Sequence, residues 1–194
     1  MHDEPELSVD EIVAVLARGD GRPLGPGQPV TQLEHALQTA ALLRRDRPDD
    51  PELAVAGLVH DLGQLLPGGC DETHAADGAA AVRMALGERV AGIVALHVEA
   101  KRYLVATDEN YKEKLAGDSL VSLGRQGGVP TSGEVAAFRG RPWASDAVTL
   151  RRADDRGKVE SLGVDGLDDW VPLLREVSAR GGGARRPPRN DRGD

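Results

Sequence analysis

The sequence predicts an all-α protein, a helical bundle assembled around a set of histidines, and three observations carry that expectation. Apolar residues recur at i, i+3, i+4 and i+7 along much of the chain, and no parallel-sheet pattern appears. Aromatic residues make up only 3% of it, so the core must be built from Leu, Val and Ala, which suits close-packed helices better than a sheet. Of the five histidines, only His2 lies in the N-terminal extension; His35, His60, His74 and His97 each fall within or at the end of a helix-like segment.

At 194 residues and 40% hydrophobic content, the chain can bury one core. A single domain over 1–180 is expected, with a disordered tail over 181–194, where Gly, Arg and Pro leave nothing apolar to bury. The net charge of −8 gives no overall electrostatic reason to bind nucleic acid or membrane. Cys70 is the only cysteine, which excludes an intramolecular disulfide and a zinc–thiolate cluster. Without an apolar signal stretch or a membrane-length apolar run, a cytoplasmic protein is expected, as a monomer or weak homodimer.

Taken in order, Ser8-Val9-Asp10-Glu11 has the capping-box pattern and opens a helix over 8–18 that Gly19 ends. A Gly/Pro-rich loop over 19–29 is long enough to have work beyond connection. The helix over 31–45 is apolar on more than one side and should be central. After a break at 46–50, Asp50 caps and Pro51 opens a third helix, which carries His60 and Asp61 at its end. Helices then follow over 77–86 and 88–97, separated at Gly87, and His97 completes the stripe Val90, Ile93, Val94. Lys101 shares that face if the helix continues. Further helices are predicted over 108–124, 143–154 and 167–179, with a short piece over 134–138. On the 143–154 helix, Ala147, Leu150, Arg151 and Asp154 share one face, which reads as an inward charge pair or as a surface ion pair.

The pair His60-Asp61 stands inside the apolar run Leu58-Val59-His60-Asp61-Leu62-Gly63-Gln64. Burying a bare carboxylate costs several kcal/mol, of order ~3–5, so Asp61 needs a partner. A core histidine bonded to its own helix explains the pair as well as a metal does. The wider set His35, His60, Asp61, His74, His97 and Asp154 favours metal: six ligands are too many for one structural zinc and suit two ions with Asp61 between them. Nitrogen and oxygen donors without thiolate fit iron, manganese, nickel or zinc alike.

These residues, with the segments around them, carry a resemblance. Thr31-Gln32-Leu33-Glu34-His35, His60-Asp61-Leu62-Gly63, the run from His97 to Val105, Gln126-Gly127-Gly128 and the run from Arg151 to Lys158 are similar in order and spacing to the HD-domain di-iron oxygenases. The likeness covers about residues 28–175 and points to the organophosphonate oxygenases, relatives of myo-inositol oxygenase that include the 2-amino-1-hydroxyethylphosphonate dioxygenases. It implies an HD-domain helical bundle around two iron ions in the mixed-valent Fe(II)/Fe(III) state, held by His35, His60, Asp61, His74, His97 and Asp154, with dioxygen as co-substrate. His60, Asp61 and Lys101 are then the catalytic residues, and Lys101, Ser119 and Arg151 receive the phosphonate of a small anionic substrate. Two cations and a hydroxyl can orient such a dianion through charge-assisted bonds.

The departures bear on the substrate. Where that family has a tyrosine and a glutamate before its first histidine, this chain has Gly25 and Gln28, and a further histidine is replaced by Gln64. Gln28 and Gln64 are therefore expected to contact the substrate without offering charge to an amine. The activity implied is oxidative cleavage of a 1-hydroxyalkyl phosphonate, or a similar hydroxylated anion, with release of phosphate. The alternatives are an HD-type phosphohydrolase of a phosphate ester or nucleotide, and a non-catalytic metal-binding regulator.

Overall fold

The computed structural model describes residues 6–114 and 117–181, apart from the side chains of 114–120. Ser8 and Glu11 form the expected capping box, with the Ser8 N–H 2.8 Å from Glu11 Oε2, and open α1 (Val9–Ala17). A second capping box, Thr31 with Glu34, opens α2 (Gln32–Asp46). The Asp50 side chain accepts from the Leu53 N–H at 3.1 Å, and with Pro51 in the first turn it starts α3 (Pro51–Val59). His60 and Asp61 follow directly, before a 3-10 turn at Leu62–Leu65.

The two helices expected over 77–86 and 88–97 are both present, separated by a sharp kink at Gly87 with φ 87° and ψ 171°, and together they form α4 (His74–Thr107). Only glycine adopts that conformation without strain, and a Cβ there would lie 3.2 Å from the Gly181 Cα. α4 begins at His74 itself and runs beyond His97 and Lys101. The stretch 108–124 divides into α5 (Glu109–Lys114) and α6 (Gly117–Arg125). The remaining helices are α7 (Ser132–Arg139), α8 (Ala144–Arg156) and α9 (Leu167–Gly181), so Gly181 closes a helix and does not begin a tail; 182–194 lie outside the described residues. Among the described residues the architecture is all-α, and no helix is long and apolar enough to cross a membrane.

α2 packs along α3, and α4 packs against α3, α8 and α9. Their shared core is built from Leu43, Leu53, Leu58, Leu86, Ile93, Val94, Leu150 and Leu174, closed by the buried Trp170. Each such side chain contributes about 1.5–3 kcal/mol on burial. Close approach of α2 and α3 requires Gly57, where a Cβ would sit 2.5 Å from Leu43 Cδ1. A smaller cluster of Leu104, Val105, Tyr111 and Leu123 ties α5 and α6 to the end of α4. The loop before α2 folds back on itself through Leu24 N–H to Val30 O at 3.0 Å and Gln32 N–H to Arg22 O at 2.8 Å.

Candidate metal centre

Each histidine of the predicted set has its Nδ1 on a backbone carbonyl. His35 Nδ1 is 2.7 Å from Gly157 O, His60 Nδ1 2.8 Å from Gly57 O, His74 Nδ1 3.0 Å from Asp71 O, and His97 Nδ1 2.7 Å from Val94 O. A carbonyl only accepts, so the proton sits on Nδ1 and the Nε2 lone pair is left facing away. Two close approaches make this possible. A Cβ on Gly157 would lie 2.7 Å from Thr39 Oγ1, and one on Gly63 would lie 2.0 Å from the His74 carbonyl oxygen. Glycine at these positions lets α8 end against α2, and lets the 3-10 turn reach the start of α4.

All four Nε2 atoms turn toward Asp61. His35 and His60 bring theirs within 3.2 Å of each other, and His74 and His97 within 3.1 Å. The Asp61 carboxylate lies between these pairs: Oδ2 is 3.9 Å from His35 Nε2 and 3.5 Å from His60 Nε2, whereas Oδ1 is 3.4 Å from His74 Nε2 and 3.5 Å from His97 Nε2. Asp154 joins the first pair alone, 3.3 Å from His35 Nε2 and 3.8 Å from His60 Nε2. The sets His35, His60, Asp61 and Asp61, His74, His97 could each hold a metal ion, and they share Asp61.

Electrostatics keep His60, His97, Asp61 and Asp154 in the form a cation needs. Burial pushes His60 down to about 4 and lowers His97 as well, so both rings are neutral at pH 7. For Asp61, burial acts upward, but His60, His74 and His97 more than offset it and hold the carboxyl well below the usual range. Burial likewise opposes the charge of Asp154, and Arg151 and Lys158 outweigh it. His74 is raised, because its contact with Asp61 outweighs its burial. Lone pairs of neutral imidazoles crowded at about 3 Å repel unless a cation or shared protons stand among them. The donor set of imidazole and carboxylate, with carbonyls orienting each ring, fits a metal ion.

Beside this cluster a cavity of about 300 Å³ is lined by His35, Asp61, His74, His97, Asp154, Lys101, Arg151, Gln28 and Gln64, among others. His60 lies behind it, fully buried. Arg151 and Asp154 are buried and joined at 2.7 Å, which rules out the surface ion pair left open by the spacing. Arg151 is also gripped by Asp155 and by the Tyr111 hydroxyl at 3.1 Å. Gly25 and Gln28 bring the Gly/Pro-rich loop to the cavity wall. The Ser119 side chain falls outside the described residues; one turn on, Ser122 lines the cavity and accepts from Lys101 Nζ at 2.8 Å. Ser122 shares a helix face with Ser119, a spacing visible in the sequence. Tyr111 and Lys158, the latter 3.2 Å from Asp154, are further site residues that local sequence reading does not mark.

The chain matches the myo-inositol oxygenase family over residues 8–81, the stretch that holds His35, His60, Asp61 and His74. It is 37% identical to hydroxymethylphosphonate dioxygenase of Gimesia maris over 150 residues, covering 73% of this chain and 74% of the relative. It is also 30% identical over 168 residues to the glycine-betaine-forming [1-hydroxy-2-(trimethylamino)ethyl]phosphonate dioxygenase of Leisingera caerulea, covering 82% and 84% of the two chains. The chain belongs to this oxygenase family. A shorter match, 49% over 66 residues, joins it to a probable inositol oxygenase of Oryza sativa subsp. japonica, of which it covers 20%. As an oxygenase of this family the protein is an enzyme, and the clustered imidazoles and carboxylates are the part of it suited to metal and dioxygen chemistry.

Proposed function

We propose that this oxygenase cleaves the carbon–phosphorus bond of a 1-hydroxyalkylphosphonate without an ammonium group, such as hydroxymethylphosphonate, or a similar hydroxylated anion. The observation that carries this reading is the position of two buried cations, Lys101 and Arg151, in the wall of the cavity into which the histidine cluster opens. Relatives named as phosphonate dioxygenases support it, and one of them carries a substrate with no amine in its name.

His35, His60, Asp61 and Asp154 would hold one iron ion, and Asp61, His74 and His97 a second, in the mixed-valent Fe(II)/Fe(III) state. Such a pair supplies Lewis acidity toward the substrate hydroxyl and the electrons that activate dioxygen. The protein's part is binding and orientation. Lys101 and Arg151 receive the phosphonate through charge-assisted bonds, together with Ser119 or its neighbour Ser122. Arg151 already spends N–H groups on Asp154, Asp155 and Tyr111, so its plane is fixed before substrate arrives. Gln28 and Gln64 line the wall with amides, which cannot match a carboxylate's attraction for an ammonium and leave its charge unneutralised. His60 and Asp61 are catalytic with Lys101: they hold and tune the oxidising centre against which Lys101 aligns the substrate. In the overall reaction dioxygen is consumed, phosphate leaves, and the hydroxyl-bearing carbon leaves as a carboxylate.

The test is anaerobic loading with iron and partial oxidation, followed by low-temperature electron paramagnetic resonance with a panel of 1-hydroxyalkylphosphonates. A coupled mixed-valent signal that one compound shifts, and that is consumed with phosphate release on admitting dioxygen, is the expected result. Phosphate release from esters without dioxygen, by a zinc- or manganese-loaded protein that gives no such signal, would overturn it.

A further inference from the structure

Three carboxylates line the cavity, and each is engaged. Asp61 and Asp154 face the histidines. The third, Asp71, precedes α4, and its backbone carbonyl lies 3.0 Å from His74 Nδ1 and accepts from Gln126 Nε2 at 3.2 Å. Its side chain is held from both sides: Oδ1 accepts from Gln64 Nε2 at 3.3 Å and Oδ2 from Arg125 Nη1, on α6, at 3.1 Å. Both Gln64 and Arg125 also line the cavity. An ammonium group entering there would meet the positive ends of Lys101, Arg125, Arg151 and Lys158 and no carboxylate outside the metal-ligand set that lacks a cationic partner.

Resting on the proposed phosphonate activity, we infer that Arg125 is a specificity-determining residue: by occupying Asp71 it masks an ammonium site and restricts the enzyme to 1-hydroxyalkylphosphonates with neutral tails. The pairing does this without closing the cavity. Arg125 is more than half exposed, so its removal leaves no buried void, and it leaves Asp71 beside the substrate's tail with only an amide as partner. Specificity in this form is a difference of affinities produced by a repulsive and a masking element together.

The experiment uses the iron-loaded enzyme kept anaerobic, with two ligands of the same shape: 2-amino-1-hydroxyethylphosphonate and 1-hydroxypropylphosphonate, which differ by an ammonium in place of a methyl. Affinities are measured by calorimetry and then compared with kcat/KM in air. Wild type is expected to favour the neutral compound. Arg125→Gln should shift the ratio toward the aminated one by about fivefold or more, the order expected of a partly exposed ion pair. The double variant Arg125→Gln with Asp71→Asn should return the ratio to the wild-type value, which a merely structural role for Arg125 would not do. A ratio unmoved by Arg125→Gln, or unmoved by the second substitution, overturns the inference and leaves the phosphonate activity standing. If wild type binds and turns over neither compound nor hydroxymethylphosphonate, the functional reading itself falls, and this inference with it.

Discussion

Lys101 is charged at a place where charge is costly. Burial, and then the nearby Arg151, lower its pKa from the usual lysine range to about 8, and any bound cation would push the same way. The ammonium form, the one that grips a phosphonate, is therefore full below that value and is lost as pH rises through it. The alkaline limb of kcat/KM should fall near pH 8 in wild type. In Lys101→Arg that limb should move beyond pH 10 or so, because guanidinium stays protonated. A wild-type profile flat to pH 10 would show that Lys101 is not the anion's partner. Tyr111 gives a second test at this scale. Its hydroxyl donates to Asp155 at 2.7 Å and accepts from Arg151, while its ring packs with Leu104, Val105 and Leu123. Tyr111→Phe keeps the ring and removes one of the three groups that fix the plane of Arg151. KM for the phosphonate should rise about three- to tenfold with kcat within about twofold, at a stability cost of about 1 kcal/mol. Equal losses in kcat and KM effects would mean a role other than positioning. At this scale the sequence was most informative for the cluster: His35, His60, Asp61, His74, His97 and Asp154 all arrive at one point. It was least informative where the partner is remote, as with Tyr111 and Asp155, whose contact spans 44 residues.

Between elements, Arg89 on α4 joins three carboxylates, Asp50 and Glu52 at the start of α3 and Asp146 at the start of α8, at 2.6–3.0 Å. This clasp holds the helices that lead to His60, His97 and Asp154 in register at the end away from the histidine cluster. Hydrogen bonding to Arg89, outweighing burial, keeps Asp50 below its ordinary value. A carboxyl lowered in the folded state contributes stability that is present above its unfolded pKa and lost as pH falls through its folded one. Arg89→Met should therefore cost about 1–3 kcal/mol at neutral pH by urea denaturation. That difference should shrink steadily below about pH 4; a gap that stays constant into acid would assign the loss to packing. Gly63 belongs to the same scale. With an alanine there, the new methyl would press on the His74 carbonyl, so Gly63→Ala should lower iron stoichiometry below wild type, measured on protein that remains helical by circular dichroism. The helices themselves were legible from caps and spacing, down to Ser8 and Asp50. The break at Gly87 was legible too: glycine with positive φ interrupts the helix there, and its close approach to Gly181 leaves little room for a Cβ.

For the molecule as a whole, the imidazole–carboxylate cluster is a stress that a bound metal ion would relieve. Four imidazoles and two carboxylates meet in a largely buried space, so the metal-free protein must hold protons or water there at a cost. Any ion bound only by the folded state adds RT ln(1 + [L]/Kd), about 2.7 kcal/mol at a hundredfold excess over Kd. For a chain of this size that is a rise in Tm of roughly 5–10 °C. Scanning calorimetry of chelator-treated and Fe(II)-reloaded protein should show it, and an unchanged Tm would count against a metal in this cluster. The all-α class followed from composition and spacing because helix signals are local. The cavity did not, because it is formed by the loop before α2, the 3-10 turn, α4, α6 and α8 together.

One consequence follows from the four carbonyls that receive the imidazole Nδ1 protons. Those acceptors belong to the main chain at Gly57, Asp71, Val94 and Gly157, and no side-chain replacement can delete them. The groups proposed to face the substrate's tail, Arg125, Asp71 and Gln64, are by contrast side chains on α6 and on connecting segments. Drift in the gene can therefore rewrite which molecule is accepted while the oxidising machinery stays as it is, and one catalytic core can serve descendants with different diets.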